Sequence, residues 1–346
     1  MQTITSGDKE GSIPAPIVEQ KQAHSLLRTF IALRHRNFRL FWFGQMISLI
    51  GTWMQSTAQA WLVLVLTHNA LLLGVVGALQ FLPVLVLALF GGVLADRLPK
   101  RKVLLFTQSF AMIQATIMWI LVATGHIQVW HIMILAGLLG LTNSLDMPTR
   151  QAFVPEMVGL DELPNAIALN SSLFNMARVL GPGLGGLLIA GLGVAPLFLL
   201  NAISFIAVIV GLALIDTRKL FGGSSLAERR QARLNQSPLQ SLREGLVYVG
   251  RTPAVFLVIA VVGVISLFGI NFNVVLPLFA TDVLHSGAIG FGFLSSAFGL
   301  GSLFSALWIA WGNHRPSIRF MILAGLIFSV AEICFAISPV YALSLL

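Results

Sequence analysis

Cysteine is almost absent: there is one, Cys334, inside an apolar run. A single thiol cannot form an intramolecular disulfide, and no metal site of the Cys/His type can be assembled around it. Charge is scarce too. Only 10% of the 346 residues are charged and 57% are hydrophobic, with a mean hydropathy of +0.89. A soluble domain carries about 25% charged residues, so the chain reads as an integral membrane protein. A Gly-x-x-x-x-Gly-Lys-Ser/Thr loop is missing, which removes an ATP-driven motor of that kind. Paired carboxylates, a nucleophile triad and a metal cluster are missing as well. An enzyme is therefore the weakest reading, and neither metal nor cofactor is expected. The first 22 residues are polar and no apolar h-region with an Ala-x-Ala site follows, so no cleavable signal is expected.

Cations are missing from one set of connections, and that absence orients the chain. Apolar spans read at about Leu40–Thr67, Leu71–Leu94, Val103–Thr124, Val129–Met147, Leu163–Leu192, Pro196–Ile215, Ala254–Ala280, Ile289–Trp311 and Ile318–Ile337. A spanning helix needs about 20 apolar residues. The connections 68–70, 125–128, 193–195, 281–288 and 338–339 hold no Lys or Arg. The opposite connections and the tail hold 20 of the 21 cations, the exception being Arg178 within the fifth span. By the positive-inside rule the N-terminus is expected to be cytoplasmic, and the expected location is the cell inner (plasma) membrane. The net charge of +8 does not signal nucleic acid, because these cations lie in short loops between spans.

Residues 1–37 read as a cytoplasmic tail, disordered to Ala23 and then basic and amphipathic from His24 to Arg36. Residues 38–215 read as a six-helix bundle. Residues 216–253 read as a basic cytoplasmic linker ending in an amphipathic helix over Pro238–Val249. Residues 254–346 read as part of a second bundle that repeats the first.

The stretch around which this is organised is Gly92-x-Leu94-Ala95-Asp96-Arg97-x-x-Lys100-Arg101, a short charged loop between the second and third spans. It resembles the signature loop of the major facilitator superfamily of secondary transporters, with Pro99 where Gly is usual and Lys100 for Arg. Aligning Asp96 with Asn313 makes Gly312-Asn313-His314-Arg315-Pro316 its basic, carboxylate-free copy. Ala177-x-x-x-Gly181-Pro182-x-x-Gly185-Gly186 resembles the antiporter motif of the superfamily's exporters, with Ala177 where Gly is usual. Its other reading is small-residue packing. The segment from Asp146 to Glu156, between the fourth and fifth spans, is similar to that of the enterobactin-exporter branch, the transmembrane secretion effectors. Glu244-Gly245-Leu246-x-Tyr248-Val249 is similar as well.

The resemblance implies an all-α membrane protein with the major facilitator fold of two helical bundles. A complete member has twelve spans. Nine and the opening of a tenth are read here, a C-terminal truncation relative to twelve. It also implies a gating charge relay of Gly92, Asp96, Arg97, Lys100, Arg101 and Asp146. The other reading of Asp146 is a helix-end carboxylate at the interface. Gln55, Gln59, Asn271 and Asn273 fall on spans that line the cavity by resemblance, and interhelical hydrogen bonding is their alternative. Trp130 and His131 read as interface anchors, and Glu332 as a packing or snorkelling acid.

Arg178 lies 15 residues into the fifth span, about 22 Å at 1.5 Å per residue. An Arg at that depth costs about 2.5–3.5 kcal/mol unless something offsets it. It either binds carbonyls freed by the Gly181-Pro182 kink or faces the cavity and attracts an anionic or polyphenolic substrate. The expected function is export of small molecules of siderophore or drug type, by proton antiport with alternating access and as a monomer. An importer or facilitator of the same fold, and an inactive remnant, are the alternatives.

Overall fold

The computed structural model describes residues 30–221, 238–269, 271–311 and 318–345. The expectations for residues 1–29, for the basic cluster at 222–237 and for Gly312 to Pro316 lie outside the described residues. Among those residues everything regular is helix. In chain order the helices are α1 Arg36–Thr67, α2 Ala70–Arg97, α3 Lys100–Ala123, α4 Val129–Val158, α5 Leu163–Leu192 and α6 Ala195–Ala213. They continue with α7 Pro238–Arg251, α8 Pro253–Phe268, α9 Phe272–Leu278, α10 Gly287–Trp311, α11 Ile318–Ala336 and α12 Tyr341–Ser344. Seven of them, α1 to α6 and α10, are long and apolar enough to cross a bilayer. Shorter apolar helices occupy the stretches read as the seventh and ninth spans.

Local chemistry sets the helix ends. His68 leaves α1 in the left-handed conformation at φ 46°. The Asn69 side chain then accepts from the backbone N–H groups of Leu71 and Leu72, which opens α2. A reciprocal cap between Gln128 and His131 opens α4, and Trp130 stacks on His131. Pro164 stands in the first turn of α5, where its missing N–H costs nothing. Gly193 ends that helix at φ 79°, a conformation that favours glycine.

The first six helices pack together. α2 lies against α4, α1 against α5 and α6, and α3 against α4 and α6. One apolar core, built on Phe38, Phe41, Leu104, Phe153 and Leu212, fills the end of the bundle that carries the basic loops. A second, built on Met54, Ala58, Met118, Ile132 and Phe198, fills the half towards the cation-poor end. α10 runs along α5, and α9 touches α1 and α2.

Two elements depart from the sequence reading. The segment from Asp146 to Glu156, read as a connection, is helical: α4 continues to Val158 through Pro148 and Pro155. Pro148 cannot donate to the Ser144 carbonyl four residues back. The α2 backbone closes on that carbonyl at Gly91, where an added Cβ would lie 2.1 Å from it. The stretch read as one seventh span is interrupted: α8 ends at Gly269, and Asn271 begins α9. The Phe328 ring fills the place of a Gly269 side chain, 2.6 Å from where its Cβ would be. A side chain at that corner would require the Phe328 ring to shift.

The basic stretch before α1 is described from Phe30 onward. Ile31–Arg34 forms a short 3-10 helix. It docks on α5 through a hydrogen bond from the Ala32 N–H to Asn165 Oδ1 at 3.1 Å.

Candidate functional site

α5 is wedged between α1 and α10, and its small residues make that possible. Gly181 faces α1, where a Cβ would sit 2.4 Å from the Trp53 Cβ. Gly186 faces α10, where a Cβ would sit 2.6 Å from the Ala288 carbonyl and 2.9 Å from the Gly292 Cα. Gly185 meets only ordinary contact with Thr57 at 3.4 Å, and Ala177 and Pro182 are buried. The Ser296 hydroxyl donates to the Val179 carbonyl at 2.6 Å, adding a polar tie between α5 and α10. Towards the cation-poor end Trp61 of α1 stacks on Phe291 of α10, with centroids 6.3 Å apart.

Beside this contact lies a cavity of about 150 Å³. Its walls come from α1 (Trp53, Ser56, Thr57, Gln59), α2 (Val76, Gln80, Phe81), α5 (Arg178, Pro182), α9 (Phe272, Leu276) and α10 (Phe291, Ser295, Phe298). Pockets for drug-sized ligands measure about 300–1,000 Å³, so a large cargo needs the helices to part. Gln59 donates from Nε2 to Gln80 Oε1 at 3.4 Å across α1 and α2. The Arg178 guanidinium lies over the Phe298 ring, 4.7 Å from its centroid. This cation–π contact joins α5 to α10. Among the described residues no wall residue is acidic.

The end carrying the basic loops holds a second group of polar contacts. Lys100, buried at the start of α3, donates from Nζ to Glu156 Oε1 of α4 at 2.6 Å. Arg101 donates to the Leu212 carbonyl at 2.7 Å and the Ala213 carbonyl at 2.5 Å, the last residues of α6. Asp146 is buried and accepts from Thr107 Oγ1 at 2.6 Å, Gln108 Nε2 at 2.8 Å and Arg150 at 2.5 and 3.1 Å. Glu162 pairs with Arg34 and His35.

The expected relay residues are therefore split between partners. Lys100 and Arg101 do not meet Asp146; each has its own acceptor. Asp96 and Arg97 close α2, but their side chains lie outside the described residues. Gly92 faces open space, while its neighbour Gly91 makes the tight contact with α4. Sequence reasoning missed Glu156, Arg150 and Gly91. For Arg150 the four-residue offset from Asp146 is a readable signal once the segment is taken as helix.

The cavity candidates are also split. Gln59 and Arg178 line the cavity. Gln55 is buried inside the first bundle, donating to Gln114 Oε1 at 3.1 Å and accepting from Asn201 Nδ2 at 2.7 Å. Asn271 is exposed at the start of α9, and the Asn273 side chain lies outside the described residues. Glu332 is partly buried on α11, which contributes no wall.

Comparison with known proteins is consistent along the chain. Residues 27–346 match the transmembrane secretion effector family. The chain is 28% identical over 322 residues to the enterobactin exporter EntS of Shigella boydii serotype 4, covering 92% of this chain and 73% of that protein. It is 27% identical over 295 residues to the multidrug efflux pump Tap of Mycolicibacterium fortuitum, covering 83% and 70%. It is 30% identical over 178 residues to the staphyloferrin A transporter of Staphylococcus aureus, covering 51% of this chain and 45% of that protein. The match with that last relative thus takes in less than half of its length. A helical membrane fold and a family match that takes in every described helix lead to one assignment: the chain belongs to the transmembrane secretion effector family of the major facilitator superfamily.

Proposed function

We propose that the protein is a secondary active exporter of small molecules of the siderophore or drug type. In this reading residues 38–215 form one bundle, 216–253 a cytoplasmic linker and 254–346 part of the second bundle. The two bundles rock about the cavity, exposing it to one side of the membrane at a time. Protons drive the cycle and the unit is a monomer. The N-terminus and the basic loops face the cytoplasm, on the strength of the cation asymmetry.

The observation that carries this reading is the cavity itself. Its walls come from α1, α2 and α5 on one side and from α9 and α10 on the other, so relative motion of the two groups must reshape it. The α5–α10 contact lies beside it, built from glycines that allow sliding of one backbone past the other. Gly92, Asp96, Arg97, Lys100 and Arg101 of the charged stretch, together with Asp146 of α4, are proposed as the gate, with Glu156 and Arg150 added as the partners of Lys100 and Asp146.

The test needs no known substrate. In a Cys334→Ser background, a Ser295→Cys variant in sealed vesicles is exposed to an impermeant maleimide from each side. Alternating access predicts labelling from both sides at different rates. A proton-driven cycle shifts the ratio of those rates when a pH difference is imposed. Labelling from one side only, under every gradient, contradicts the transport reading. A ratio indifferent to pH contradicts the coupling ion.

A further inference from the structure

We infer that the cavity takes a planar aromatic anion, with Arg178 binding its charged group and the aromatic walls holding its ring. The inference rests on the transport reading above and names the cargo class of the same site.

The argument begins with what Arg178 does not have. Among the described residues the ion pairs are Arg34 and His35 with Glu162, Lys100 with Glu156, and Arg150 with Asp146. None involves Arg178, and no acid lines the cavity. Arg178 is partly buried, and its guanidinium Cζ lies over the Phe298 ring, 4.7 Å from the centroid. A guanidinium carries its N–H groups in its own plane, around its edge, whatever lies against Cζ. That edge is a ready fork for a carboxylate, phenolate or sulfonate.

Three of the neutral donors nearby are already engaged. Thr57 donates to the Trp53 carbonyl at 3.1 Å, Ser295 to the Phe291 carbonyl at 2.9 Å, and Gln59 to Gln80 at 3.4 Å. Arg178 is thus the strongest donor on these walls not already committed to the protein. The remaining surface is aromatic: Trp53, Phe81, Phe272, Phe291 and Phe298. Flat rings stack on such walls, and an organic cation meets a like charge with no acid to offset it.

The experiment uses protection of the Ser295→Cys, Cys334→Ser protein in sealed vesicles. The probes are 2-naphthoate, 2-naphthylmethylammonium and cyclohexanecarboxylate. 2-Naphthoate is expected to slow maleimide labelling at concentrations at least about tenfold lower than either of the others. Arg178→Gln is expected to erase the preference for the anion over the cation. Arg178→Lys is expected to keep part of it, since the charge remains and the planar fork does not. Should Arg178→Gln fail to insert, Phe298→Leu carries the test by narrowing the gap between 2-naphthoate and cyclohexanecarboxylate. Equal protection by all three probes, or an anion preference that survives Arg178→Gln, overturns the inference. If the cysteine is reached from both sides yet shows no anion preference, the cargo class falls and the transport reading stands. If it is reached from one side only, the transport reading falls and the cargo inference falls with it.

Discussion

Lys100 and Glu156 tie the start of α3 to the end of α4, with Nζ 2.6 Å from Oε1 and the lysine side chain only 7% exposed. A cation so enclosed depends on its partner. Glu156→Ala leaves it uncompensated and is expected to lower stability by about 2 kcal/mol, less than a fully buried pair because Glu156 is 29% exposed. Thermal unfolding in detergent measures this. The double variant Lys100→Met, Glu156→Leu is expected to recover most of the loss. Wild-type stability in Glu156→Ala shows that the pair is not structural.

Asp146 makes a graded prediction. Its carboxylate accepts from three side chains, so removing the charge disturbs more than removing one donor. Asp146→Asn is expected to cost about 1–3 kcal/mol and Thr107→Val about 1 kcal/mol. The same unfolding measurement ranks them. A larger effect for Thr107→Val contradicts the arrangement.

Glycines on α5 separate contact from ornament. Gly186→Val drives a side chain into the Ala288 carbonyl and Gly292 of α10, whereas Gly191→Ala meets nothing within 4 Å. Gly186→Val is expected to change the two-sided labelling ratio of Ser295→Cys by about tenfold or more, a shift of about 1.4 kcal/mol between states. Gly191→Ala is expected to leave it unchanged. Equal ratios in both variants show that the α5–α10 contact does not bias the cycle.

Orientation has its own test. In the Cys334→Ser background, cysteines at His68, Gly125 or Ser286 are expected to react with an impermeant thiol reagent applied from outside, and a cysteine at Pro99 is not. The reverse pattern overturns the cytoplasmic placement of the basic loops.

The sequence is most legible where local chemistry acts alone. The bounds of α5, Leu163–Leu192, follow from Pro164 at one end and Gly193 at the other. The continuation of α4 is hidden because prolines usually end helices. The Gly91 backbone of α2, packed on the carbonyl that Pro148 leaves, is a tertiary contact. The break at Gly269 carried a readable Gly-x-Asn signal, masked by the apolar run around it. Gln55 and Gln59 share a spacing, but their partners Gln114, Asn201 and Gln80 come from other helices. Which of the two lines the cavity depends on how those helices face one another. The same holds for Lys100, whose choice of Glu156 requires α3 and α4 to be placed first.

The most direct test of rocking about the α5–α10 contact is a reversible lock. A Cβ built on Gly299 lies 3.1 Å from Cγ2 of Val179, the place a Val179→Cys sulfur would take, close enough for a second sulfur on the Gly299→Cys side to complete an S–S bond of about 2.05 Å. The variant Val179→Cys, Gly299→Cys, Ser295→Cys, Cys334→Ser is oxidised in sealed vesicles. Labelling of the cavity cysteine is expected from the basic-loop side only, with two-sided labelling restored by reductant. Two-sided labelling that persists while the disulfide is intact would contradict it.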